Sequence, residues 1–222
     1  MGVIAIDGPA AAGKSSVARR VAAEIGWTHL SSGMLYRAVT WWLLKHGAGA
    51  DPGQMELHLN LGPGGLELTV DGVRPGPELS SPEVVAAVAE TATSPAVRDL
   101  VGRHLREAGR KFNLVCDGRD IGTTVFPDAV LKVFLTADPR ERARRRLIQA
   151  DTLGGGASPV ERDQALRAQA AELEARDRRD SLRAISPLTR AEDAVEIDNS
   201  GLNLDESVAA VLEKIEDRFL GA

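Results

Sequence analysis

The chain has 222 residues with a formal net charge of −5 at pH 7, and 43% of its residues are hydrophobic but only 4% are aromatic. This length suits one α/β domain with an insertion, or two small lobes. The acidic balance argues against a protein that coats nucleic acid or lies on an anionic membrane surface, so local arginines must capture any anionic ligand.

The cysteine and histidine content and the length of the apolar runs narrow the possible class of protein further. A single cysteine, Cys116, excludes an internal disulfide and is typical of a reducing compartment, and its apolar neighbours favour a buried position. No apolar run approaches the ~20 residues that span a bilayer, and Ile6 breaks the pattern for N-myristoylation. We therefore expect a cytoplasmic protein with no membrane contact. The histidines show no spacing typical of a zinc site: His29, His46, His58 and His104.

Predicted strands and helices alternate along the chain. An apolar run from Val3 to Ile6 predicts the first strand, and the helix at residues 16–25 follows it with apolar residues at helical spacing. Further strands are predicted at residues 27–30, 113–116, 129–135 and 195–198, and further helices at 34–46, 82–93, 95–109, 158–183 and 204–220, with another basic helix opened by Asp138-Pro139. This alternation predicts an α/β fold with a five-stranded parallel sheet and helices on both faces. Ligands bind such sheets at the carboxyl ends of the strands.

Two glycine-rich stretches interrupt this pattern. Gly62-Pro63-Gly64-Gly65 predicts the entry to an insertion, in which residues 66–70 alternate as a half-buried strand and Asp71-Gly72 predicts a hairpin turn. Gly154-Gly155-Gly156 predicts a flexible joint before the long charged helix, and we interpret it as the hinge of a lid.

The stretch between the first strand and the first helix has the pattern G-x-x-x-x-G-K-S, formed by Gly8, Pro9, Ala10, Ala11, Ala12, Gly13, Lys14 and Ser15 and followed by Ser16. A strand, a tight glycine loop and a helix start are the context in which this pattern indicates a phosphate site rather than a chance turn. Backbone N–H groups and the helix dipole favour an anion there. Lys14 would supply a charge for the β- and γ-phosphates of a nucleotide, and the Ser15 hydroxyl would face Mg²⁺.

A phosphate loop serves GTPases, ATP-driven motors, small-molecule kinases and passive nucleotide sensors alike. The guanine-reading pattern Asn-Lys-x-Asp is absent from the sequence, which argues against a GTPase. Arginines recur where predicted loops should meet the sheet edge: Arg37, Arg98, Arg119, Arg176, Arg179 and Arg183. Phosphoryl transfer needs alignment and cations around a charge-spread phosphoryl group, and the guanidinium fork suits that role. The arginines favour a kinase over a sensor, because a sensor has no need of a second anion pocket.

Four motifs together resemble those of the cytidylate kinases. They are the phosphate loop with Ser16, residues 32–37 (Ser-Gly-Met-Leu-Tyr-Arg), residues 117–123 (Asp-Gly-Arg-Asp-Ile-Gly-Thr) with 126–129, and Arg176-Asp177-x-x-Asp180-x-x-Arg183. Their order and spacing match over nearly the full chain. The resemblance implies transfer of the γ-phosphoryl group of ATP, with Mg²⁺, to CMP and dCMP. It also implies a P-loop fold in which a β-rich nucleoside-monophosphate domain and a helical lid flank the core.

The resemblance implies a role for each matched residue. It assigns the acceptor phosphate to Ser32, Arg37 and Arg119, the cytosine to Arg98 and Asp120, the sugar to Arg176 and Asp180, and the transferring phosphoryl group to Arg183. The catalytic set would then be Lys14, Arg119, Arg176 and Arg183. A guanidinium fork is a suitable ligand for a phosphate dianion. A carboxylate is the expected partner of the cytosine 4-amino group, where uracil offers a carbonyl instead.

The sequence leaves the roles of two further sets of residues open. Arg142 and Arg146, spaced i and i+4, either face the ATP or belong to a solvated helix face. Asp117 either organises magnesium-bound water beside the substrates or caps a helix or turn.

The chain departs from the family pattern in its second strand and in its insertion. Ser31 stands where the family usually carries Asp, and Ala89 stands where it carries a base-contacting serine, which Thr91 would then replace. By this resemblance we expect the core at residues 1–60, 92–150 and 184–222. The nucleoside-monophosphate-binding insertion would span residues 61–91, and the lid would span residues 151–183.

The expected partners are the small molecules CMP, dCMP and ATP, with no nucleic acid and a monomer as the default state. Two alternatives remain. One is a broader pyrimidine kinase that also accepts UMP, and the other is a non-catalytic module that binds ATP.

Overall fold

The computed structural model describes residues 1–47, 49–62, 65–150 and 158–220. Its strands are β1 (Val3–Asp7), β2 (Thr28–Ser31), β3 (Leu57–Gly62), β4 (Gly65–Val70), β5 (Leu114–Asp117), β6 (Leu131–Thr136) and β7 (Val195–Asp198). Its α-helices are α1 (Lys14–Glu24), α2 (Ser32–His46), α3 (Pro82–Thr91), α4 (Pro95–Lys111), α5 (Pro139–Gln149), α6 (Pro159–Ser181) and α7 (Leu204–Leu220). Single helical turns span Pro52–Gln54, Pro77–Ser80 and Ile121–Val125.

Five strands form one sheet in the order β2-β5-β1-β6-β7, and every neighbouring pair is parallel. The predicted five-stranded parallel sheet is therefore confirmed. In the register of this sheet Asp117 lies opposite both Ile6 and Ser31. The segments that leave β1, β2 and β5 at their carboxyl ends consequently meet at one edge, where parallel sheets bind ligands.

The alternation of side chains along β1 divides the core into two layers. Ile4 and Ile6 pack with α1 and α7 on one face, while Val3 and Ala5 pack with α2 and α4 on the other. All five residues of β1 are buried, as expected of a central parallel strand covered by helices on both sides. Each fully buried isoleucine contributes roughly 1.5–3 kcal/mol of transfer free energy, so the strand that precedes the phosphate loop is firmly anchored.

The insertion contains an antiparallel pair, β3 with β4, in which Leu57 faces Val70 and Leu59 faces Leu68. The predicted turn at Asp71-Gly72 is confirmed: both residues have positive φ, 49° and 74°, and Val70 and Val73 exchange backbone hydrogen bonds of 2.8 and 2.9 Å across it. The turn closes only an isolated bridge, however, and does not join β4 to a following strand. The partner of β4 precedes it, and the connection between the two strands lies outside the described residues. The leucines at 57, 59 and 61 alternate in the sequence and could have identified β3.

The helix bounds follow the predictions within a few residues, with one difference that affects the site. Helix α2 begins at Ser32 rather than Met34, so Ser32 lies in the first helical turn and is buried. The predicted lid hinge at residues 154–156 lies outside the described residues. The predicted insertion boundary between residues 60 and 61 falls within β3. In the described part of the chain no helix combines the length and the apolar character needed to cross a membrane.

Replacement of Gly8 by alanine tests how tightly the phosphate loop follows β1. Gly8 has φ 147°, and a Cβ there would lie 2.0 Å from the carbonyl oxygen of Leu135. We expect Gly8→Ala to lower the free energy of unfolding in urea by more than about 3 kcal/mol, because backbone must shift. Gly26 is the matched control, since its φ is 69° but nothing lies within 4 Å of a Cβ. Gly26→Ala should cost only about 1 kcal/mol, and equal costs would contradict the close packing.

Candidate active site

The phosphate loop adopts the strand–loop–helix arrangement that its sequence predicts. β1 ends at Asp7, and α1 begins at Lys14 with Gly13 in the left-handed conformation before it. Ala11 also has a positive φ of 58°, which is uncommon for a residue with a Cβ. The loop thus turns sharply over the start of α1, where free backbone N–H groups and the helix dipole favour an anion.

Lys14 is buried in this loop and has an electrostatic environment that disfavours its charge. Its Nζ donates to the carbonyl oxygen of Pro9 at 2.6 Å, and the residue is 6% exposed. Burial, followed by the charge of Arg119, holds the pKa of Lys14 well below its usual value. The attraction of a bound anion would oppose both effects, so this ammonium group favours a phosphate in the loop.

Two arginines of the predicted site have side-chain donors without a partner among the described residues. The Nε atoms of Arg37 and Arg176 are buried and have no hydrogen-bond partner among the described residues. Burial lowers the pKa of both side chains, and the neighbouring charge of Arg146 lowers it further in each. Buried donors without acceptors are costly in a folded protein. Among the described residues these two guanidinium groups therefore keep donors that a bound acceptor could satisfy.

Arg119 and Arg183 share one carboxylate. Arg119 Nε donates to Asp180 Oδ2 at 2.9 Å, and Arg183 pairs with Asp180 Oδ1. Arg119 Nη1 also donates to the carbonyl oxygen of Gly8 at 3.2 Å. Because Asp180 is 3% exposed and both its oxygens are engaged, it fixes the two arginines relative to each other. Each oxygen keeps a lone pair, so a sugar hydroxyl that reached this carboxylate could donate to it without loss of either bond.

Arg98 and Asp120, 22 residues apart in the sequence, form a buried ion pair. Arg98 also donates to the carbonyl oxygen of Ala92 at 3.2 Å and lies 5.7 Å from the centre of the Tyr36 ring. Burial raises the pKa of Asp120, and the charge of Arg98 opposes that rise. The hydroxyl of Thr91 donates to the carbonyl oxygen of Ala87 in its own helix, at 3.2 Å. Because the Thr91 hydroxyl donates within its own helix, the acceptor and donor groups of this part of the site are those of Arg98 and Asp120.

Asp117 is a hydrogen-bond centre at the end of β5. Its Oδ2 accepts from the Ser15 hydroxyl at 2.7 Å and from the Ser31 hydroxyl at 3.4 Å, and its Oδ1 lies 2.7 Å from His29 Nε2. Ser32 donates to the backbone carbonyl of Asp117 at 2.9 Å. Burial alone would raise the pKa of Asp117, but the bonds from His29 and Ser15 outweigh it and lower the pKa. The carboxylate contacts side chains here and does not cap a helix.

Sequence reasoning missed Asp7, which holds the segment that carries Arg119 and Asp120. Its two carboxylate oxygens accept the backbone N–H groups of Ile121 and Gly122 at 2.9 and 2.7 Å. Asp7 is 6% exposed, and burial raises its pKa from 3.8 to about 6. An acidic residue that ends an otherwise apolar buried strand was the available signal.

Arg142 and Asp177 enclose the peptide groups of Ala10. Arg142 donates to the carbonyl oxygen of Ala10 at 3.0 Å and pairs with Asp177, whose Oδ1 accepts the Ala10 N–H at 2.8 Å. Arg142 is buried and also donates to the carbonyl oxygen of Ala137 at 3.0 Å, so its guanidinium binds main chain. Arg146 is half-buried and, within the described ranges, makes one long hydrogen bond, 3.4 Å, to Gln149. Among the described residues, Arg146 therefore uses fewer of its donors than Arg142 does.

The prediction that six arginines occupy loops is wrong for four of them. The helical ones are Arg37 on α2, Arg98 on α4, and Arg176 and Arg179 on α6. Arg179 is exposed and donates to a carbonyl oxygen of its own helix. Helices position the other three more firmly than loops would, because their backbone is held by regular hydrogen bonds.

The donor set beside the loop fits Mg²⁺ that arrives with a nucleotide. Ser15 and Asp117 offer hard oxygen atoms close to the phosphate loop, which suit this ion. Within the described ranges no group of three or more His, Cys, Asp or Glu side chains could hold a metal alone. Mg²⁺ usually keeps water and substrate phosphates as ligands, so such a cage is not required.

The raised pKa of Asp7 predicts a pH-dependent contribution to stability. Between its unfolded value, 3.8, and its folded value, about 6, the folded protein binds more protons than the unfolded chain. The free energy of unfolding should therefore fall with rising pH in this window, by roughly 1 kcal/mol per pH unit from this group, and level off above it. Urea unfolding of the wild type and Asp7→Asn at pH 4, 5, 6 and 7 isolates the effect. Parallel pH curves for the two proteins would contradict it.

Comparison with known proteins identifies the family of this chain. The family model described as cytidylate kinase matches residues 4–217. The bifunctional pantoate ligase/cytidylate kinase of Synechococcus sp. (strain RCC307) is 43% identical over 219 residues, which cover 95% of this chain and 42% of that protein. The protein of the same name from Synechococcus sp. (strain JA-3-3Ab) is 46% identical over 224 residues, which cover 96% of this chain and 39% of that protein. The chain thus spans less than half the length of these curated relatives.

Solved structures share the fold at low sequence identity. TT1252 from Thermus thermophilus has a TM-score of 0.50 at 18% identity, covering 96% of this chain and 97% of that one. An uncharacterized protein from Eubacterium ventriosum ATCC 27560 has a TM-score of 0.53 at 12% identity, covering 97% and 99%. These likenesses concern the fold alone. Because the family model extends over nearly the whole sequence, this chain belongs to the cytidylate kinase family.

Proposed function

We propose that this chain transfers the γ-phosphoryl group of ATP to CMP and dCMP, producing CDP and dCDP. The observation that carries the proposal is that Arg37 and Arg176 have buried Nε atoms without a partner among the described residues, and that the charge of Arg146 acts on both side chains. A module that only binds ATP needs one anion site. Two adjacent sites suit a donor and an acceptor that both carry phosphate.

The geometry supports a mechanism based on alignment and charge. The loop N–H groups and Lys14 would bind the donor phosphates, and Ser32, Arg37 and Arg119 would bind the phosphate of the acceptor. The bond of Arg119 to the carbonyl oxygen of Gly8 supports this role, because it holds the guanidinium group at the donor loop. Arg176 and Arg183 would stabilise the charge that spreads over the transferring phosphoryl group. Mg²⁺, held by Ser15 and through water by Asp117, would neutralise phosphate charge when bound.

Base selection would depend on the pair of Arg98 and Asp120. The Asp120 carboxylate can accept from the 4-amino group of cytosine, and the Arg98 guanidinium can donate to N3 and O2. Uracil would place a carbonyl against the carboxylate and an N–H against the guanidinium. Buried polar groups left unpaired in this way penalise the wrong base strongly.

We also propose domain roles for the segments outside the sheet. Residues 61–91 would form the acceptor-binding insertion, residues 151–183 the lid, and residues 1–60, 92–150 and 184–222 the core. The contact of Asp177 with Ala10 supports the lid assignment, because it joins α6 to the donor loop. A monomer in the cytoplasm, acting on CMP, dCMP and ATP, completes the proposal, and the buried free thiol of Cys116 is compatible with that location.

An ADP-release assay with ATP and Mg²⁺ across CMP, dCMP, UMP and AMP tests the proposal. We expect turnover with CMP and dCMP, and a kcat/KM for UMP at least about 100-fold lower. Equal values for UMP and CMP would favour the broader pyrimidine kinase. ATP binding without ADP release on any acceptor would favour the non-catalytic module.

Replacement of Asp120 by asparagine tests the base-reading pair. The amide can still accept from cytosine but can also donate to the uracil carbonyl, so the ratio of kcat/KM for CMP over UMP should fall about 10-fold or more. Asp99→Asn is the matched control, because Asp99 is an exposed carboxylate on the same helix as Arg98, paired with Arg103. Its ratio should equal that of the wild type. An unchanged ratio in Asp120→Asn would remove this residue from base selection.

A further inference from the structure

His29 on strand β2 contacts the carboxylate that holds the start of helix α1. In the parallel pairing of β2 with β5, His29 lies opposite Val115 and Ser31 lies opposite Asp117. Residues two apart on a strand point to the same face, so His29, Ser31 and Asp117 share a face of the sheet. Val115 packs in the core layer that contains α1, so this face is the one that α1 covers.

The contacts form a continuous chain from β2 to the phosphate loop. His29 Nε2 lies 2.7 Å from Asp117 Oδ1, and the Ser15 hydroxyl donates to Asp117 Oδ2 at 2.7 Å. The side chains of His29 and Asp117 are 15% and 5% exposed, so water competes little for either bond. Because the carboxylate only accepts hydrogen bonds, the histidine must donate from Nε2.

This chain of contacts sets the direction of the Ser15 hydroxyl. Its proton is committed to Asp117, which leaves the lone pairs of the oxygen as the groups that can bind a cation. Without a donor at Oδ1, Asp117 would have one buried oxygen unpaired and could rotate away from Ser15. The hydroxyl would then lose its fixed orientation toward a cation bound with the nucleotide.

We infer that His29 is a positioning residue for the magnesium-binding side of the donor site, acting through Asp117 on Ser15. The inference rests on the proposed function insofar as the donor is a magnesium nucleotide. It assigns a role in the reaction to a residue outside the phosphate loop and outside the arginine cluster. Residues that orient metal ligands from the second layer change metal affinity by about 10- to 100-fold when replaced.

Calorimetric titration with ADP, with Mg²⁺ and with EDTA in place of Mg²⁺, tests the inference without requiring turnover. We expect His29→Leu to weaken Mg·ADP binding about 10-fold and to change metal-free ADP binding by less than about twofold. His29→Gln, whose amide can donate to Asp117, should recover most of the loss. Thr28→Val is the matched control on the opposite face of β2 and should bind both forms as the wild type does. Equal weakening of the two forms, or none, would overturn the inference.

A measurement on the wild type keeps the test independent of whether His29→Leu folds. Long-range ¹H–¹⁵N NMR assigns the protonated nitrogen of the imidazole, and we expect a proton on Nε2. A neutral ring protonated only at Nδ1 would overturn the inference, because it could not donate to Asp117. Failure of the proposed function gives a different result, namely a wild type that binds Mg·ADP but phosphorylates no nucleotide.

Discussion

The site depends on positive charge held where burial penalises it. Burial and neighbouring arginines lower the pKa of Lys14, Arg37 and Arg176, which means that the folded protein disfavours the charges it places there. Such a cluster persists only because many contacts of the surrounding fold hold each of its side chains in place. Phosphate groups would relieve the repulsion, so the same arrangement that costs stability favours binding of anions.

Aspartates at the sheet edge oppose this repulsion by tying together segments that are distant in the sequence. Asp117 bonds to Ser15 across 102 residues, and Asp7 bonds to the main chain at Ile121 across 114 residues. Each of these carboxylates ends a buried strand, so its position follows from the register of the sheet. The carboxylates thus transmit the rigidity of the sheet to the loops that carry the cationic side chains.

Helix α6 is joined to the donor loop by charge and by packing. Asp177 accepts the Ala10 N–H across 167 residues, and Ala10 packs with Ala143 of α5 and Leu173 of α6 in a small apolar cluster. Asp180, one turn further along α6, anchors Arg119. Movement of this part of α6 away from the core would therefore break the bonds at Ala10 and release Arg119 together. The position of α6 and the geometry of the donor loop are coupled in this structure.

The sequence by itself determined the five-stranded parallel sheet, the phosphate loop and the order of the motifs. These follow from local information, because apolar periodicity, glycine spacing and proline at helix starts each act within a few residues. The leucines of β3 also alternate in the sequence. The turn at Asp71-Gly72 suggested that the partner of β4 follows it, but that partner, β3, precedes it. A turn signal states that the chain reverses and does not state which strand pairs.

Only the tertiary structure decided how the charged side chains are paired. The sequence shows that arginines and aspartates are present near the site, but it does not show that Asp180 bonds to Arg119, that Asp7 holds Ile121, or that Asp117 contacts His29. These pairings depend on the strand order β2-β5-β1-β6-β7, which brings the ends of β1, β2 and β5 together. Contacts between residues more than 60 positions apart have no local signature, because they follow from sheet register and helix packing rather than from neighbouring residues.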